Sequence, residues 1–391
     1  MLNTNFTSWP LFSEEEANAV HNVLLSNKVN YWTGNECHKF EKEFALWSNS
    51  KYSVALGNGT FALDAALKAL NIQIGDEVIV TSRTFIASVS SIVNSGAKPI
   101  FADVDLASQN ITVESIKSKI TSKTKAIICV HLAGWPCEMD KIMVLAQNLN
   151  LFVIEDCAQA HGAKYKGYSV GSIGHIGCWS FCQDKIMTTG GEGGMVTTND
   201  KSLWSKIWAY KDHGKSYEAV YEKKHSGGFR WLHESFGTNW RMTEMQAVIG
   251  RIQLKRMPDW HSKRIANVNK ICNTAIQSKG LRVPVIPHFI EHAAYKCYLF
   301  VEMEKLKVDW NRDKIMKEIN ELGVPCYSGS CSEVYLEKAF DGSGFRPKER
   351  LVNAKELGET SLMFLVHPTL TEGEIKKTCD AIKFVMNLAA K

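Results

Sequence analysis

The chain has 391 residues, 45% hydrophobic and 22% charged, a balance that supports globular domains with cores of their own and argues against a disordered polymer. Its net charge of +5 is too mild to indicate nucleic acid, and no apolar run approaches the roughly 18 residues a membrane-spanning helix needs. The eleven cysteines show neither Cys-x-x-Cys pairs nor zinc-finger spacing, so they read as reduced thiols of a cytoplasmic protein without a disulfide framework or a metal site.

Residues 1–12 read as an N-terminal arm, interrupted early by Pro10 and lacking the basic-then-apolar order of a signal peptide. Ser13-Glu14-Glu15-Glu16 predicts a capping box, with Ser13 as N-cap and Glu16 reaching back to open the first helix. From Ser53 onward short apolar strands alternate with helical stretches, with strands expected at 53–56, 77–80, 98–101, 126–131 and 151–155. Two more are expected around 177–180 and 194–198. Strands apolar on both faces predict an α/β fold, a parallel or mixed sheet covered by helices, with ligands at the carboxyl ends of its strands. The basic run Lys117, Lys119, Lys123 and Lys125 reads as a solvated helix face and loop. Met245, Ile249, Ile252 and Met257 recur at helical spacing and predict a long helix ending at Pro258. That divides the chain into a large domain, 13–258, and a smaller C-terminal α+β domain, 259–391, with a strand at 296–302, a helix at 310–322 and a last helix from Glu372.

The chemistry concentrates between Leu151 and Thr198. An apolar strand ends in Asp156, Ser180 follows, Lys185 lies 29 positions after the aspartate, and Gly190-Gly191-Glu192-Gly193-Gly194 comes next. A pyridoxal phosphate enzyme needs a carboxylate to keep the pyridine nitrogen protonated, a hydroxyl near the phosphate and a lysine to hold the aldehyde. Lys185 in isolation reads as a surface lysine; Ser180 before it and the glycine turn after it change that reading. An ionised Asp156 at the end of an apolar strand is costly unless paired, and a protonated ring nitrogen is a suitable partner. A helix N-cap is the alternative. Gly57-Asn58-Gly59-Thr60 precedes a buried-face pattern of Ala62, Leu63, Ala66, Leu67 and Leu70. A glycine turn opening a helix offers free N–H groups and a positive dipole end, which suits a phosphate, although the same tetrapeptide also marks ordinary turns.

These segments, together with Gly34, Phe40-Glu41, Gly75-Asp76-Glu77-Val78-Ile79-Val80, Phe101-Ala102-Asp103-Val104-Asp105 and Gly237-Thr238-Asn239-Trp240-Arg241-Met242, resemble in order and over nearly the whole chain the sugar-nucleotide aminotransferases of the DegT/DnrJ/EryC1/StrS family, of the fold type I, aspartate aminotransferase superfamily. The resemblance implies pyridoxal 5′-phosphate as cofactor, with Lys185 and Asp156 as catalytic residues. Gly59, Thr60, Phe85, Gln159, Ser180 and Asn239 join them around the cofactor: Phe85 against the ring, Gln159 at its ring oxygen, and Asn239 reaching the phosphate from a partner subunit of a homodimer. His161 reads as structural. For substrate contact it points to Tyr31, Trp32, Arg230, Trp231 and Tyr327. The implied reaction moves an amino group, with glutamate as donor, onto a 4-keto or 3-keto nucleotide-linked deoxysugar, for polysaccharide, O-antigen or antibiotic pathways. Lysine rather than histidine at 185 separates this chain from the related sugar 3-dehydratases, and the intact Asp156, Ser180 and Lys185 set from a non-catalytic regulator. Pro325-Cys326-Tyr327-Ser328-Gly329-Ser330-Cys331 departs from the His-Tyr pair of the family's sugar-facing loop, and the stretch 226–235 reads as particular to this chain or its subgroup.

Overall fold

The computed structural model describes residues 6–225 and 227–391. Strands β1 (Tyr52–Leu56), β2 (Glu77–Thr81), β3 (Lys98–Ala102), β4 (Thr124–Val130) and β5 (Phe152–Asp156) fall within a residue or two of the expected positions. A short hairpin follows, β6 (Lys164–Tyr165) and β7 (Tyr168–Ser169), and then β8 (Ile176–Ser180) and β9 (Gly194–Thr198). The large sheet has the order β1-β9-β8-β5-β4-β2-β3. Neighbouring pairs among β3, β2, β4, β5 and β8 are parallel, whereas β9 runs antiparallel to both β8 and β1. The centre of the sheet is dry: β2 and β8 are buried at every position. That agrees with strands covered by helices on both faces.

The smaller lobe is an antiparallel sheet of β10 (Leu281–Arg282), β12 (Cys297–Val301), β14 (Ser361–Phe364) and β13 (Cys326–Tyr327), in that order. It packs on helices Arg312–Glu321 and Glu372–Ala389. Strand β11 (Ile290–Glu291) leaves this lobe to pair with β6, so the lobes are stitched together by backbone hydrogen bonds. The capping box forms as expected, the Ser13 N–H donating to the Glu16 carboxylate at 2.7 Å.

One expectation fails. The long helix does not stop at Pro258; it runs unbroken from Glu244 to Ile276 and passes from one lobe into the other. Pro258 is tolerated because it sits on the exposed side of the helix, where the backbone can tilt toward water. Before the first helix, the Trp9 indole N–H donates to the main-chain carbonyl of Lys185 at 2.7 Å. Met1–Asn5 and Ser226 lie outside the described residues.

Candidate active site

Alternation along β5 sends Glu155 and Asp156 to opposite faces. Glu155 faces inward, where it accepts hydrogen bonds from the Gly171, Ile173 and Gly174 N–H groups and meets His131 Nε2 at 3.0 Å. Asp156 points toward a cavity of about 610 Å³ at the carboxyl ends of the parallel strands. Its carboxylate accepts the Ser88 hydroxyl at 2.7 Å and the Ala158 N–H at 3.1 Å. It is only 6% exposed. Burial pushes its pKa above the ordinary value, against the opposing pull of those hydrogen bonds and of Lys185. A dry carboxylate with no salt bridge among the described residues is one that a cationic ring nitrogen would match.

Across the cavity Lys185 follows β8, its ammonium 3.4 Å from Asp184 Oδ1 and 5.5 Å from the centre of the Tyr295 ring. Another wall of the cavity is built by the helix Gly59–Ala69. Asn58 caps it, its side chain accepting the Phe61 N–H at 2.9 Å, which leaves the Gly59 and Thr60 amides at the helix start. A Cβ on Gly59 would come 2.6 Å from the Ser180 Cβ, so only glycine lets the turn meet Ser180. Phe85, 67% exposed, projects into the same cavity. Gln159 Oε1 accepts the Ala133 N–H at 2.8 Å, which leaves its amide N–H groups for another acceptor.

The structure thus gathers Asp156, Gln159, Ser180, Lys185, Gly59, Thr60 and Phe85 around one cavity. Asn239 does not line it. It is exposed, on a segment tied to the rim by Gly57 N–H to Trp240 carbonyl at 2.9 Å and by Trp240 stacked on Phe61 at 4.5 Å. Tyr327 borders a second cavity that meets the first at Phe85, Gln159, Asp184 and Lys185. Arg230 and Trp231 are exposed and away from both. Tyr31, expected near substrate, is placed in the core instead: 1% exposed, it hydrogen-bonds Glu41 at 3.0 Å and Trp208 at 2.9 Å, with the Lys211 ammonium 3.6 Å from its ring centre. Trp32 packs beside it under Lys215. An aromatic that satisfies a buried Lys211–Glu41 pair has no face left for a ligand within its own chain. His161 is buried against Trp179 and Phe181, with neither ring nitrogen hydrogen-bonded among the described residues.

Sequence reasoning missed Ser88, Asp184 and Tyr295. Ser88 is one serine among several in a short helix, and Tyr295 lies just before the strand expected at 296–302.

The family model of the DegT/DnrJ/EryC1/StrS aminotransferases matches residues 10–383. The chain belongs to the DegT/DnrJ/EryC1/StrS aminotransferase family. An X-ray structure of an aminotransferase from Psychrobacter cryohalolentis is 66% identical, with a TM-score of 0.96 over 98% of this chain and 99% of that one. The GDP-perosamine synthase of Escherichia coli O157:H7 is 45% identical over 263 residues, 67% of this chain and 69% of that protein. DesV of S. venezuelae, solved with a ketimine intermediate, is 29% identical with a TM-score of 0.85, over 95% of this chain and 94% of that one. Pyridoxal 5′-phosphate is the cofactor of this aminotransferase. The residues present fit it: a dry carboxylate at one end of the cavity, a glycine turn against Ser180 at the other, and Lys185 between them. No helix among the described residues is long and apolar enough to cross a membrane.

Proposed function

We propose that this aminotransferase moves an amino group from glutamate to the keto carbon of a nucleotide-linked deoxysugar, at C-4 rather than C-3, as a cytoplasmic homodimer with shared active sites. The observation that carries the reading is Lys185 facing both cavities, one shaped for the cofactor and the other open toward Tyr327 and Ser330. The GDP-perosamine synthase name of a 45% identical relative supports a sugar nucleotide as acceptor. The exposed position of Asn239, on the rim yet outside its own chain's cavity, supports a partner's site as its destination.

Bound pyridoxal phosphate supplies a carbonyl that takes the amino group and a ring that withdraws electrons. Asp156, oriented by Ser88, would hold a proton on the ring nitrogen. Ser180, Thr60 and the free amides of the helix start would bind the phosphate, and Phe85 would lie against the ring. Lys185 would hold the cofactor's aldehyde and, as a free amine, would serve as general base toward the substrate carbon. Asp184, shared by Lys185 and the Tyr295 hydroxyl, keeps that amine aimed.

Incubation with a panel of nucleotide-linked ketosugars and glutamate, with products identified by mass and proton couplings, gives an aminosugar bearing nitrogen at C-4. Borohydride reduction followed by peptide mapping places the cofactor on Lys185. Nitrogen at C-3, or an adduct on another lysine, overturns the corresponding part.

A further inference from the structure

Lys296 borders the second cavity as a cation without a carboxylate or hydrogen-bond partner among the described residues. That cavity, of about 310 Å³, is bordered by Lys185, Lys296, Tyr295, Tyr327 and Ser330 among others. The ammonium groups of Lys185 and Lys296 both flank the Tyr295 ring, at 5.5 and 4.9 Å from its centre. The nearby carboxylate, Asp184, is already engaged by the Tyr295 hydroxyl at 2.5 Å and by Lys185. Lys296 makes no hydrogen bond or salt bridge among the described residues. Behind it lies Arg264, 1% exposed, whose guanidinium reaches two main-chain carbonyls, of Ala294 and Tyr295, at 3.5 and 3.3 Å, and lies 5.0 Å from the centre of the Trp9 ring. The Arg264 Nε and Nη2 atoms have no hydrogen-bond partner among the described residues. Burial, and then the Arg264 charge, push Lys296 down to about 8. A cluster with more cations than carboxylates, held in a desolvated wall, is costly until an anion arrives.

Resting on the proposed reaction, we infer that Lys296, backed by Arg264, seats a carboxylate of the amino donor. The donor's nitrogen has to reach the point where Lys185 ends, and its carboxylates are attached a few bonds away. Lys296 flanks the same tyrosine ring as Lys185 and borders the same cavity. The other anion in the reaction, the diphosphate of the nucleotide sugar, hangs from the far side of the sugar ring when C-4 reacts. Its place is farther out, toward the mouth of the cavity. Arg264 acts through Lys296: it holds the potential positive without touching the ligand.

The test uses the holoenzyme and glutarate, a dicarboxylate that carries no amino group and cannot react. Calorimetric binding of glutarate is expected to weaken at least ten-fold in Lys296→Met. The glutamate concentration that half-converts the cofactor, followed by absorbance without any sugar, is expected to rise by the same factor. Lys296→Arg should recover most of both losses, and binding of UDP and GDP should be unchanged. Lys296→Gln serves the same comparison if the methionine variant does not fold. Unchanged glutarate and glutamate responses overturn the assignment, as does a loss of UDP or GDP binding with glutarate intact, which would give Lys296 to the diphosphate. A wild-type enzyme that takes no nitrogen from glutamate overturns the donor itself; one that takes it equally well with and without Lys296 overturns only this seat.

Discussion

The strand ends around Asp156 and the exposed segment from Phe229 to Asn239 differ in what fixes their side chains. Asp156, Ser180 and Lys185 are held by the sheet, by Ser88 and by Asp184, all within one chain. Phe229, Trp231 and Phe236 are 79, 85 and 99% exposed, with Phe229 and Trp231 touching mainly each other. A polar group at the end of a buried strand is placed by the fold before any ligand arrives, and it can therefore carry chemistry. Large aromatics left in water point to a second surface that the single chain does not supply.

The largest test of this contrast is Asp156→Asn. Turnover is expected to fall roughly a thousand-fold, the scale of removing one preorganised electrostatic group from an active site. The apoprotein should respond in the opposite direction. Because the folded chain raises the Asp156 pKa above its ordinary 3.8, the unfolded chain loses that proton first, and stability falls as pH rises through the window above 3.8. The asparagine apoprotein should therefore melt above the wild-type apoprotein at pH 7, with the gap closing below pH 3.8. Near-normal turnover would reduce Asp156 to a cap for the Ala158 amide.

A mixing experiment addresses the exposed side. Lys185→Ala and Asn239→Asp chains, each inactive alone, are allowed to exchange subunits. In a two-fold dimer with shared sites, every hybrid keeps one intact site, and about a quarter of wild-type activity returns. No recovery after verified exchange would place each site within a single chain.

The smallest effect concerns His161, held neutral by burial and by the charges of Lys185 and Arg264, with its pKa pushed down to about 3. Its contribution is complete above pH 6.5 and lost as pH falls toward 3, by at most about 1.4 kcal/mol per unit. Replacing it with Gln should flatten the fall of melting temperature with pH over that window without removing it, since burial also holds His292 and His367 down, at about 4 and about 3. An unchanged slope would mean that His161 titrates normally.

Much of this site is legible from residue order because its parts are local: Asp156 ends an apolar strand, and glycines surround the two polar turns. The sheet strands are legible for the same reason. The antiparallel direction of β9 is not, because apolar periodicity carries no sense of chain direction. Tyr31 misleads because its fate depends on Glu41 and on Lys211, far along the chain. Ser88 and Lys296 are silent in the sequence; only the fold brings Ser88 to Asp156, and only the fold brings Lys185 to the Tyr295 ring beside which Lys296 lies.

The helix Glu244–Ile276 has a mechanical consequence. Its first half starts beside the Asn239 segment and its second half carries Arg264, so one rod connects the rim of the phosphate end with the charge behind Lys296. Pro258 has no N–H to give the Leu254 carbonyl, which makes that turn the weakest point of the rod. The lobes have no loose linker there on which to swing. An opening that bent the helix at Leu254–Pro258 would shift the Asn239 segment and Arg264 together.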